Sequence, residues 1–417
     1  IYSQECIKVI QFLFFTLCFC KQFYICIVIM NISTPRHRYK IHDKIYDLSD
    51  FVKVHPGGQD MFNHLKPDTN ITPMIYAYHK NPKGILAMLP KYEVSYRTDL
   101  IKIEYDTNYT YDSYCELKKL VYDEIREKKI PLYWSNQEIA YNAFMLSLYL
   151  GIWTYCFFNA NNLSYWWMVL LAVMNTGYGL LVVHETSHYT GFRNQTINNI
   201  ISKTLLSHIT TTQDWKYKHN YLHHSFTNTD YDDDYGKYKK IIRHSNTHLH
   251  YFHHRFQFIY AFIMFILAGF TKGPVKAIIN KQITLLLFCI IYYNFGCINS
   301  NILYGLTGLL ALTITQLSHI QHECIQINTD NKNDFLYNQV SSSMNYRTDD
   351  FITRFICVGL DIQIEHHLIP NIPHSSLRQI QHIVHSYCDK NDIPYIEKSS
   401  IFPAIYSYIC YLYKMGR

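Results

Sequence analysis

Apolar and polar positions divide the chain into a mixed first part and a second part built on long apolar runs. Residues 1–29 are apolar but interrupted by Lys8 and Lys21. Such a run, within a segment 1–35, suits a signal or anchor helix, or translated upstream sequence ahead of Met30, and it is given no function. From 36 to 110, short apolar pieces alternate with turn residues, which predicts a small α+β domain. Within a linker 111–138, Leu117, Leu120, Val121 and Ile125 recur at helical spacing and predict a helix leading to the membrane. Four later runs, 139–158, 163–183, 283–298 and 302–318, suit bilayer spans arranged as two hairpins. A fifth, 256–270, is shorter and is followed by Lys272, Lys276 and Lys281, so an interfacial or re-entrant helix is expected. Residues 401–417 read as a tail.

Charge orients these runs. The hairpin loops 159–162 and 299–301 carry no Lys or Arg, whereas 184–255 carries nine. The positive-inside rule places that segment, and both termini, on the cytosolic side. The 417 residues are 48% hydrophobic and 17% charged, which excludes disorder, collagen and a charged coiled coil. A mean hydropathy of −0.11 excludes a bundle of transmembrane helices alone. The net charge of +6 is scattered, and the apolar runs favour lipid over nucleic acid as the partner. Twelve cysteines form no CxxC pair, as in reduced thiols. The 23 histidines are where the chemistry lies.

The first candidate site is His55-Pro56-Gly57-Gly58, after the strand-like run Ile45-Tyr46-Asp47-Leu48. Proline fixes one dihedral and the glycines let the backbone turn back close to a flat ligand. His79 lies 24 residues on, with His64 as a nearer competitor. Two imidazoles clamping one iron leave no open position, which suits electron transfer. The stretch resembles cytochrome b5 over about 75 residues, and the resemblance implies haem b held axially by His55 and His79. Only Asp60 and Asp68 lie between the two histidines, where cytochrome b5 usually presents acids to its reductase.

Three further clusters follow. His184-Glu185-Thr186-Ser187-His188 sets two imidazoles at i and i+4 on one helical face, where they can share a metal. His219, His223 and His224 repeat that spacing, and Gln363-Ile364-Glu365-His366-His367 supplies another pair. Their order resembles the membrane fatty-acyl desaturase superfamily. The fused haem domain and the glutamine opening the third cluster are similar to the front-end desaturases, with the insect cytochrome b5-related proteins as a branch sharing both modules. The flanking runs 215–228 and 363–377 extend the likeness. It implies a small α+β haem domain (36–110) followed by a mainly α-helical membrane desaturase domain (139–400) with four transmembrane helices. It also implies two iron ions held by His184, His188, His219, His223, His224, His319, Gln363, His366 and His367. His322 is expected to be structural. Glu185 stands where the family usually has Asp, one methylene shorter, which bears on how the ligands are supported.

His250-Tyr251-Phe252-His253-His254 also fits the spacing, but lacks the flanking likeness and reads as a histidine-rich loop; the acidic run 230–234 reads as solvated. An alkyl C–H has no acidic proton, so acid–base catalysis is useless against it and oxygen activated at a metal is the expected chemistry. Two electrons per turnover, delivered singly, account for the haem. The implied reaction is insertion of a cis double bond into a fatty-acyl or sphingoid chain, using O2. An NADH-linked cytochrome b5 reductase is the implied electron donor, and the endoplasmic reticulum membrane the implied location. The ligands alone admit a lipid hydroxylase, or a non-catalytic haem protein with a relic second module.

Overall fold

A computed structural model describes residues 37–94, 103–205, 211–233, 235–236, 238–279, 284–324, 333–348 and 350–417. The apolar segment 1–35 lies outside the described residues. Strands β1 (Arg38–Ile41) and β2 (Lys44–Asp47) pair antiparallel, and β3 (Thr69–Asn70) runs parallel to β1, giving the order β2-β1-β3. Tyr39 and Ile41 alternate inward, the period-two pattern of a half-buried strand. The turn at Gly58 has φ +81°, and its N–H donates to the His55 carbonyl at 2.8 Å. A side chain is strained at that φ, so glycine fixes where His55 sits. Pro73 lies in the first turn of the helix Thr72–Tyr78, which stops at His79.

The predicted linker helix is Asp112–Glu127, with Leu117, Val121 and Ile125 buried. Leu120 is 45% exposed and lies off that stripe. Tyr114 and Lys118 are buried instead. The helix shares one core with Tyr76, Ile364, Leu368 and the helix His374–Lys390. It is thus a wedge between the two halves of the chain as well as a lead into the apolar helices.

The first apolar helix, Asn136–Phe158, opens on a capping box: Ser135 Oγ accepts the Glu138 N–H and the Glu138 carboxylate accepts the Ser135 N–H. The second runs unbroken from Tyr165 to Ser187, through a π-helical stretch Asn175–Leu180. The third and fourth form one run, Thr284–Leu317, broken at Gly296 (φ 71°, ψ 169°). The rings of Phe288 and Tyr304 lie 5.0 Å apart, whereas a straight helix would separate them by about 24 Å. The hairpin therefore turns at Gly296, ahead of the predicted loop 299–301.

Among the described residues, two stretches are long and apolar enough by length and composition to cross a membrane, Tyr165–Ser187 and Phe288–Leu317, the second containing the break at Gly296. The arm 284–295 rises only about 18 Å, so it falls short of the span predicted for 283–298. The fifth run forms a full helix, Gln257–Ile279, extending past its predicted end at 270. It packs against the second arm, with Phe265 and Gly269 facing Gly308 and Tyr304. A Cβ on Gly308 would lie 2.5 Å from Gly269 Cα and 2.5 Å from the Phe265 carbonyl oxygen. Gly308→Val should therefore force the backbones apart and destabilise the protein by about 1–3 kcal/mol, read as a lower Tm in detergent. The predicted tail is a helix, Ile401–Met415, whose Tyr408 and Leu412 are buried in a core with Ala261 and Phe265.

Candidate haem and metal sites

His55 and His79 face each other, their ring centroids 6.0 Å apart and their planes at 84°. Each is oriented through Nδ1: His55 toward the Gly58 carbonyl at 3.1 Å, His79 toward the Ile75 carbonyl at 3.0 Å. That leaves both Nε2 atoms for an axial ligand pair. Metal–nitrogen bonds of roughly 2 Å on each side, with the two ring radii, require about 6 Å between centroids. Burial lowers the pKa of both, His79 to about 4, so both rings are neutral donors at pH 7. The residues fit a bis-imidazole haem.

The later histidines converge from four parts of the chain into two adjoining groups. His184, His188, His219 and His366 form one, and His223, His319 and His367 the other; within each, the candidate ligand atoms lie within 4.8 Å of one another. His224 stands between them, its ring 4.7 Å from His366 and 4.4 Å from His367. Gln363 Nε2 lies 3.1 Å from His319 Nε2. All nine sequence-predicted residues are therefore brought together: His184 and His188 share one group as predicted, whereas His219 and His223, and His366 and His367, are divided between the two. The stretch Lys216–His223 is π-helical. Its wider winding brings residues five apart into line, so His219 Nε2 meets His224 Nε2 at 3.3 Å while His223 turns to the other group.

Four of these rings are held from behind through Nδ1. The partners are Tyr78 Oη for His188 (2.9 Å), Asp232 for His223 (2.9 Å), the Ser342 carbonyl for His319 (3.0 Å) and Gln339 Oε1 for His367 (2.9 Å). Such partners fix the ring and its tautomer for ligation by the other nitrogen. The donor set passes the complementary test for a metal. Both ring nitrogens of His366, together with His188 Nε2, His367 Nε2 and Gln363 Oε1, are buried without a hydrogen-bond partner among the described residues. Burial pushes His319 down to about 3 and His219, His224, His366 and His367 well below their ordinary value. Converging neutral imidazoles repel through their lone pairs, and a cation between them reverses the sign. Nitrogen donors without thiolates suit iron.

Residues outside the nine complete the support of the cluster, and Trp134, His374, Tyr78 and Gln339 carry no local sequence signal for it. Glu185 does not face the cluster. It accepts from Trp134 Nε1 and from the N–H and Nδ1 of His374 at 2.7 and 2.8 Å, and the His374 ring lies 5.1 Å from that of His366. Asp232, expected to be solvated, is buried against His223 because its carboxylate has a hydrogen-bonding task there. The decoy histidines stay outside the metal groups, but the run is not a loop throughout: Phe252–Phe256 is a short 3-10 helix with His254 buried, His253 and His254 contact the Lys240 carbonyl, and His250 contacts the Gly416 carbonyl. His322 is exposed beside Lys414. A cavity reaches His184, His219, His223 and Gln363; its lining is apolar at Leu180, Ala311, Leu312, Val358 and Leu360 and polar at Asp214, Lys218 and Thr315.

Helical architecture, buried polyhistidine clusters beside a largely apolar cavity and a bis-imidazole pocket together define a haem-fused metal oxidoreductase. The chain belongs to the fatty acid desaturase family: that family model matches residues 160–399, and a cytochrome b5-like haem/steroid-binding domain matches residues 36–97. Among curated proteins it is 25% identical to an acyl-lipid (8-3)-desaturase of Physcomitrium patens, over 90% of this chain and 87% of that one. It is 23% identical to acyl-lipid (8-3)-desaturase B of Dictyostelium discoideum, over 90% of each. It is also 23% identical to a Delta(8)-fatty-acid desaturase of Borago officinalis, over 85% of each.

Proposed function

We propose that this protein introduces a cis double bond into a fatty-acyl chain, using O2 at a two-iron centre and electrons passed through its own haem domain. The observation that carries the reading is the meeting of His184, His188, His219 and His366 with His223, His319 and His367, bridged by His224, at the end of a largely apolar cavity. Iron bound there would supply the oxygen activation that an unactivated C–H bond requires. The chain's own residues set the conditions. Leu180, Ala311, Leu312, Val358 and Leu360 offer an acyl chain a dry wall. Tyr78, Asp232, Ser342 and Gln339 hold four ligand rings in one tautomer. His55 and His79 would hold the haem, which would supply one-electron transfer.

The protein is read as a multi-pass membrane protein of the endoplasmic reticulum with both sites facing the cytosol. Large exposed apolar side chains on the long helices support the membrane embedding, among them Phe144, Leu148, Phe158, Trp166, Ile259, Ile263 and Ile298. The helix Gln257–Ile279 packs along the second arm of the hairpin and shares its bilayer face. An NADH-linked cytochrome b5 reductase is the proposed donor. Asp60 pairs with Lys216 and Asp68 with Arg38, so the two acids between the haem histidines are already engaged within the chain. Expression in a desaturase-poor yeast fed a panel of fatty acids should give new unsaturated products, with loss of two hydrogens by mass spectrometry. A gain of oxygen, or no product with haem and iron both bound, would overturn the reading.

A further inference from the structure

The helix Thr72–Tyr78 ends at His79, and the last carbonyls of a helix have no partners inside it. Here those partners come from outside the haem domain. Lys118 Nζ, from the buried wedge helix, donates to the carbonyls of Tyr76 (2.6 Å) and Ala77 (2.9 Å). Asn371, from the segment after the third histidine cluster, donates to the carbonyl of Tyr78 at 3.0 Å. A cation at a helix C-terminus also meets the negative end of its dipole. On another face, Asp60 pairs with the buried Lys216 and accepts from the Tyr189 hydroxyl at 3.0 Å. Tyr221 donates to the Asn70 carbonyl at 3.0 Å, and Tyr221, Leu222 and Phe226 extend the apolar core of the haem domain. These contacts make a docked joint, with buried polar groups hydrogen-bonded across it.

At that joint, Tyr78 Oη lies 2.9 Å from His188 Nδ1 and 3.3 Å from the Asn220 carbonyl, and its ring stacks on that of His188 at 12°. The two contacts share one consistent polarity: His188 Nδ1–H donates to the phenol oxygen, and the phenol O–H donates to Asn220. One peptide link and one hydrogen bond therefore join a candidate haem ligand, His79, to a candidate iron ligand, His188. We propose that Tyr78 is the positioning residue for electron transfer between the two centres, holding the haem domain against the metal site and providing the bonded route between them. This rests on the haem and iron assignments above. With both groups bound, the step would be the transfer of a single electron, oxidising ferrous haem to ferric and reducing one ferric iron to ferrous. No bond is made or broken, and the phenol keeps its proton.

The test is laser-flash photoreduction of the haem in the anaerobic, full-length holoprotein, following the decay of ferrous haem absorbance as the electron moves on. Tyr78→Phe keeps the ring and removes the hydroxyl. The expected result is a decay slowed by about tenfold or more per iron-loaded molecule, with the haem potential as in wild type; the iron-to-haem ratio falls because His188 loses its support, so the rate is read on the loaded fraction. A wild-type decay rate overturns the proposal. So does a loss of iron with an unchanged rate in the loaded fraction, since the hydroxyl would then merely support His188. Asp60→Asn, which alters the joint without touching His188, should also slow the decay at full iron content, and an unchanged rate there removes the docked joint. Wild-type protein that binds haem but no iron would instead defeat the functional reading itself, and this inference with it.

Discussion

Replacing His366 with alanine is expected to abolish product formation while leaving the haem spectrum intact. His366 is central to the first metal group, its ring 4.5 Å from His184, 4.8 Å from His188 and 4.7 Å from His224. Both of its nitrogens are buried and without a hydrogen-bond partner among the described residues, so the packing gives this ring no task other than ligation. Alanine removes one donor from a group of four and opens a cavity beside His374. The loss in product should be at least about 100-fold, beyond the roughly 10–100-fold typical of a residue that only orients a ligand. Iron analysis of the purified variant should show a lower iron-to-haem ratio. The haem domain reads out independently, because His55 and His79 draw their Nδ1 partners from the backbone of that domain. Full activity or full iron in this variant would remove His366 from the ligand set.

The histidines that make these sites were legible because their chemistry is written in short, local spacings. His55 with its two glycines, the 24-residue interval to His79, and the paired imidazoles at 184/188 and 366/367 each need only a few consecutive residues. What surrounds them was not legible, because it is supplied across long separations. Tyr78 meets His188 from 110 residues away, and His374 meets Glu185 from 189. Nothing in a tyrosine beside a haem ligand announces such a partner. Asp232 was hidden differently, since an acidic run reads as solvated until one member is shown buried on His223. The division of His219 from His223 was missed because helical spacing assumes 3.6 residues per turn, and this segment is wound as a π-helix. The helix period also put Leu120 on the buried stripe, where the structure exposes it and buries Tyr114 and Lys118. The apolar runs were recognisable as helices. Their ends were set by features that hydropathy does not weigh, such as the break at Gly296 and the packing of Gly269 on Gly308.

Alanine at His79 should give the complementary phenotype, with iron retained and haem lost. The His79 ring is oriented by the Ile75 carbonyl and kept neutral by burial, so its Nε2 is a ready donor toward the face of His55. Without it, one axial position has no imidazole, and the optical spectrum should lose its bis-histidine, low-spin form along with most of the haem. His64, the rival within the same stretch, is partly buried near Asp60 at 3.8 Å and has its own place in the docked face. His64→Ala should therefore leave the low-spin spectrum in place. In cells, product formation by His79→Ala should fall by about 100-fold or more, because the electrons that each turnover needs no longer arrive. Electrons supplied chemically to the iron-loaded variant should restore part of it. The two alanine variants thus separate the sites: His366 controls iron and leaves the haem, whereas His79 controls the haem and leaves iron. A His79 variant with a normal haem spectrum would move the second axial ligand to another residue. It would also sever the link through Tyr78, since the route to His188 begins at the residue that holds the haem.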